Sequence, residues 1–98
     1  MLIRFNPEAD AELTEARHWY SHYSQDLGLE FIQCIDDVLA RVIRNPRLFP
    51  VVYESLRRAV VRRFPFAVLY EVTANEIYVV AVFHSRRNPE VWKARVRK

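Results

Sequence analysis

Ninety-eight residues, 51% hydrophobic and 13% aromatic, are one domain's worth of chain with enough apolar side chain for a core, which excludes a disordered protein. The formal net charge is +3, and thirteen of the fifteen basic residues are arginine, whose planar fork suits bidentate contacts to carboxylate or phosphate. A lone cysteine, Cys34, offers no intrachain disulfide, no apolar run approaches the roughly 18 residues that span a bilayer, and Met1 to Arg4 is too short for a signal-peptide core. The expectation is a single cytoplasmic domain over residues 1–98 with no membrane segment.

Leu2 to Phe5 reads as a short strand. Asn6, Pro7 and Glu8 then form a helix start, with Asn6 as N-cap and Pro7 at the first helical position. Ala9, Leu13, Ala16, Tyr20 and Tyr23 follow at helical spacing, which predicts an amphipathic helix from Pro7 to about Tyr23, with Trp19 placed to widen its stripe. Ser24 to Gly28 breaks the pattern. A second helix is predicted from Leu27 or Leu29 to Arg44, with Phe31, Ile35, Val38, Leu39, Val42 and Ile43 on its apolar side, and Asn45 and Pro46 end it. So short a connection makes the pair an antiparallel hairpin.

Pro46 to Ser55 reads as an irregular connection. Three strands are then expected, around Val60 and Val61, from Phe66 to Val72 and from Ile77 to Phe83, separated by Pro65 and by a turn at Thr73 to Glu76 in which Asn75 tolerates a left-handed backbone. In the middle strand Phe66, Val68, Tyr70 and Val72 share one face and Ala67, Leu69 and Glu71 the other, with Tyr70 in the core. In the last strand Ile77, Val79, Ala81 and Phe83 oppose Tyr78, Val80 and Val82, and both sets are apolar, which places it inside the sheet. Asn88, Pro89 and Glu90 open a short last helix with Val91, Trp92 and Lys93. The order is β-α-α-β-β-β-α: an α+β fold with a helical hairpin packed on one face of a mostly antiparallel sheet.

Charge is unevenly shared. Met1 to Ser55 holds five arginines against nine acids, a balance of −4, whereas Leu56 to Lys98 holds ten basic residues against three acids, a balance of +7. Such a half points to an anionic or acidic partner. The candidate binding residues are Arg57, Arg58, Arg62, Arg63, His84, Arg86, Arg87 and Trp92, the charged ones expected to converge at a sheet margin. That patch suits either docking of an acidic protein surface or phosphodiester cleavage, with an imidazole moving the proton and arginines holding the transition-state charge. No carboxylate stands close in sequence to act as base. His18 and His22 lie four apart with Glu15 three before, but the remaining ligands of a metal site are missing, and no metal or cofactor is expected.

Two stretches, RFPFAVLYEV from Arg63 to Val72 and IYVVAVFHSRRNP from Ile77 to Pro89, together with the element order, closely resemble the RelE/ParE superfamily of bacterial type II toxin-antitoxin toxins. The resemblance implies a growth inhibitor of the plasmid-stabilisation type, neutralised by a cognate antitoxin that wraps a disordered, acidic C-terminal segment around the toxin and itself binds operator DNA. RelE-like members cleave messenger RNA on the ribosome and carry a basic residue ahead of the middle strand's Tyr-x-Val, where this chain has Ala67. Were it such a nuclease, Arg62, Arg63, His84 and Arg87 would be the catalytic residues. ParE-like members poison DNA gyrase without cleaving anything themselves, and the run from Val80 to His84 resembles theirs. The ParE-like reading is favoured; a RelE-like endoribonuclease and a non-toxic antitoxin-binding module are the alternatives.

Overall fold

The computed structural model describes residues 1–96; Arg97 and Lys98, counted above in the basic half, lie outside them. The described elements run β1 (Leu2–Phe5), α1 (Pro7–Tyr23), α2 (Gln25–Arg44), β2 (Val51–Tyr53), β3 (Leu56–Val60), β4 (Phe66–Val72), β5 (Glu76–His84) and α3 (Glu90–Lys93). They build the expected α+β fold, a helical hairpin on a five-stranded sheet of order β1-β5-β4-β3-β2. All neighbours pair antiparallel except β1, which lies parallel to β5.

The helix starts follow their caps. Asn6 accepts from the Ala9 amide at 2.7 Å through its side chain, and its own amide donates to the Val79 carbonyl, so the cap also anchors the helix to the sheet. Ser24 caps α2, which therefore begins at Gln25, ahead of the expected start. Gly28 lies inside that helix rather than breaking it: a Cβ there would run into the Ser21 side chain of α1, so glycine permits the close crossing of the hairpin.

The helices bury Ala9, Ala16, Phe31, Ile35, Val38 and Val42 against Val68, Tyr70, Ile77, Val79 and Val82 of the sheet. The far face carries a smaller cluster, Leu56, Leu69, Val80, Ala81 and Phe83, capped by Trp92 of α3. Trp19 and Tyr23 do not join the first core; they stay 61% and 67% exposed and pack edge-to-face on each other at 5.5 Å. Ile43 is likewise exposed.

The connection read as irregular contains a strand. β2 is three residues long and joins β3 through a hairpin turn in which Glu54 takes a positive φ of 53°, a conformation unfavourable enough for glutamate that sequence gives no sign of the turn. Asn75, by contrast, is not in the left-handed region; Thr73 closes that turn, its hydroxyl accepting from the Glu76 amide at 3.1 Å. The 46–50 segment is held from below, Tyr70 Oη donating to the Pro46 carbonyl at 2.8 Å and Arg57 to the carbonyls of Arg47 and Phe49 at 3.0 and 2.7 Å.

Strand β5 departs from simple alternation. Leu69 pairs with Ala81 but Tyr70 pairs with Val79, so Val80 is the extra residue of a bulge. Ile77, Val79 and Val82 therefore face the helices, while Tyr78, Val80, Ala81 and Phe83 face away, which corrects the expected sorting of Ala81, Val82 and Phe83. One inserted residue reverses the side on which every later side chain emerges.

Candidate functional site

Past the bulge, β5 delivers His84 toward the helical side of the sheet. Its ring meets Phe66 edge-to-face at 5.1 Å, and its Nδ1 accepts from the Arg86 amide at 3.0 Å. The Arg86 amide thus occupies Nδ1, which leaves Nε2 as the ring nitrogen open to a bound group. The loop that follows turns Arg87 back over the sheet end, where its guanidinium lies 4.8 Å from the Phe83 ring centre and 3.5 Å from Glu12 Oε2.

Two recesses meet at this end. On the open face, Arg58, Val60, Ala67, Leu69, Phe83, His84, Arg87 and Trp92 line a shallow hollow with an apolar floor. On the helical side, a groove of about 630 Å³ runs between α1 and the end of β5, lined by Glu12, Glu15, Ala16, His18, Trp19, Tyr20, Phe66, Val82, His84 and Arg87. His84 and Arg87 border both.

The expected arginine group is only partly assembled. Arg58 and Arg87 share the hollow, whereas Arg62 and Arg86 are exposed outside its lining, without an ion-pair partner among the described residues. Arg63, at φ 70°, bends the chain between β3 and β4 and pairs with Glu30 of α2 at 3.2 Å. Arg57 lies within β3 with its side chain on the opposite face, committed to the backbone of the 46–50 segment, so it does not converge with the others. Trp92 is buried, packed on Tyr53 and Phe83, and contributes mainly the hollow's wall. His18 and His22 belong to no group of three or more potential metal ligands among the described residues.

Two residues not singled out from sequence organise this region. Glu12 of α1 accepts from the Val82 amide at 3.1 Å and forms a two-pronged pair with Arg95 at 3.0 and 2.9 Å, while Arg95 also donates to the Val80 carbonyl at 3.2 Å. The Glu12 hydrogen bond raises the Arg95 guanidinium further above its ordinary value. Glu12 and Arg95 are 83 positions apart, and only the topology brings them together.

Comparison with known proteins agrees with this architecture. The profile of the ParE toxin of the type II toxin-antitoxin system, parDE, matches residues 3–89. Toxin ParE2 of Mycobacterium tuberculosis, in two strains, is 25% identical over 95 residues, spanning 96% of this chain and 90% of the relative. A solved structure described as the chromosomal ParDE TA system from P. aeruginosa superposes with a TM-score of 0.57 at 22% identity, covering 86% of this chain and 95% of that one, a likeness of fold.

Proposed function

The chain belongs to the ParE toxin family of type II toxin-antitoxin systems, and from that premise we propose that it acts in the cytoplasm, arrests growth by poisoning DNA gyrase and is neutralised by a cognate antitoxin that alone contacts operator DNA. The observation that carries the choice of target is Ala67. It stands where a ribosome-dependent nuclease of the wider superfamily would place a basic residue, and it forms part of the hollow's apolar floor beside Leu69 and Phe83. A floor of that kind, rimmed by Arg58 and Arg87, suits the surface of a protein partner better than a phosphodiester in flight, which needs charge at its centre. His84 points the same way, since the Arg86 amide already occupies its Nδ1.

The test is a titration of purified, antitoxin-free protein into a gyrase supercoiling reaction, reading inhibition and trapped cleaved DNA together. Inhibition with trapped DNA, reversed by the antitoxin, is the expected result. An inert but folded sample that breaks messages on purified ribosomes would transfer the assignment to the nuclease reading and make Arg62, Arg63, His84 and Arg87 its catalytic set. Normal growth on induction, with tight antitoxin binding, would leave only the binding module.

A further inference from the structure

The open-face hollow owes its shape to one small residue. Across the sheet Val60 pairs with Ala67 and Ala67 with Phe83, so the three side chains stand in one row on the face away from the long helices. Adjacent strands lie roughly 4.8 Å apart, which sets the two large side chains about 10 Å apart with only a methyl group between them. Val60 stays 60% exposed at the rim, and Leu69 and the buried Trp92 close the hollow beside the row. The space is about 280 Å³, room for one large side chain and less than the roughly 300 to 1,000 Å³ of ordinary small-ligand pockets.

Charge around the hollow is one-sided. Arg58 and Arg87 both belong to its lining and no carboxylate does, and the exposed Arg58 guanidinium forms no hydrogen bond or ion pair among the described residues. Either a carboxylate or a phosphate would satisfy such groups. The rings decide between them. Single-stranded nucleic acid is held by stacking its bases on aromatic side chains, and each ring of this lining is buried or already packed. Phe83 is buried, lies 4.8 Å from the Arg87 guanidinium and meets Trp92 edge-on at 6.4 Å; Phe64 and Trp92 are buried; Phe66 meets His84 at 5.1 Å. What remains to be covered is aliphatic, chiefly Val60 and Ala67, and an apolar side chain covers it best.

Resting on the gyrase reading for the identity of the target, we propose that this hollow is a socket for one large apolar side chain of the target protein, flanked there by carboxylates that Arg58 and Arg87 engage. Ala67 determines the specificity: a small residue at the centre of the row makes the room, and a larger one fills it. Arg87 is held in position for its part, since its contacts with Phe83 and Glu12 keep it over the sheet end.

The test follows backbone amides of the full chain by NMR against a synthetic peptide with one phenylalanine between glutamates, and measures gyrase inhibition in parallel. Shift changes are expected on Val60, Ala67, Leu69 and Phe83, and are expected to vanish when lysine replaces glutamate or alanine replaces phenylalanine in the peptide. Ala67→Leu, which fills the socket without altering charge, and Arg58→Ala are each expected to weaken peptide binding and gyrase inhibition about tenfold, the scale of a side chain that matters in an interface. Arg44→Ala removes an exposed charge at the end of α2 and leaves both unchanged. Arg58 is exposed, so its variant decides if Ala67→Leu does not fold. Absence of peptide binding, shifts elsewhere on the protein, or an alanine peptide that binds equally well overturns the socket; a single-stranded oligonucleotide that moves the same amides overturns the protein partner. Gyrase inhibition that neither variant weakens removes the socket and spares the gyrase reading, while peptide binding in the socket of a protein inert toward gyrase does the reverse.

Discussion

At Arg86 and Arg87 adjacent side chains of one type have different duties. Arg86 is exposed and contributes only its backbone amide, which closes the turn onto His84. Arg87 lies over Phe83 and reaches Glu12. Arg86→Glu is expected to leave stability unchanged, whereas Arg87→Glu sets two carboxylates against each other and costs about 1 kcal/mol, as befits a half-exposed pair; chemical denaturation of the two single mutants reads the difference. Gly28 has a tighter constraint. Gly28→Ala drives a methyl group into Ser21, and overpacking of this kind costs about 2 kcal/mol despite the better helix propensity of alanine. A Gly28→Ala protein as stable as the parent would mean that the hairpin can open without penalty.

Among the elements, β1 has a single neighbour in the sheet. Four residues pair with β5, reinforced by Arg4, which donates to Glu76 at 2.7 Å and covers the Tyr78 ring at 4.5 Å. Arg4 holds the Glu76 carboxyl below its ordinary value of 4.5, chiefly through that hydrogen bond. The carboxylate form is thus favoured by the fold, and its stabilising effect is present above pH 4.5 and lost as pH falls through the lower folded value. Protection of the Asn6 amide, bonded to the Val79 carbonyl, should fall on acidification before that of the β4 and β5 amides, as hydrogen exchange can measure. The elements also show what a sequence can disclose. The helices, β4 and the start of β5 were legible because capping residues and periodicity are local. β2 was hidden because its turn rests on a positive φ at Glu54, and the bulge at Val80 was hidden because an apolar run on both faces looks the same with or without an extra residue. The site shared this division: His84 and Arg87 stood in a recognisable exit, but Glu12 and Arg95 had no pattern to mark them.

For the whole molecule the charge imbalance is the property most open to measurement. The acidic first half supplies the two long helices and the basic second half supplies β3 to β5, the exit loop and α3, so a partner seated in the open-face hollow meets Arg58 and Arg87 and no carboxylate of its lining. Affinity for the antitoxin is expected to fall by roughly tenfold as ionic strength rises from about 0.01 to about 1 M, since screening shortens from ~30 to ~3 Å, while the fold itself holds. Titration calorimetry at several salt concentrations tests this; a flat response would assign the binding to apolar contacts alone.

The parallel pairing of β1 with β5 also has a consequence in time. Leu2 pairs with Glu76, so during synthesis the hairpin of α1 and α2 emerges before the strand on which β1 and both helices pack. Contacts so distant along the chain form last. The growing polypeptide therefore carries an unsatisfied apolar helix face through most of its translation and closes the β5 end, with its groove and its arginines, only when that strand arrives.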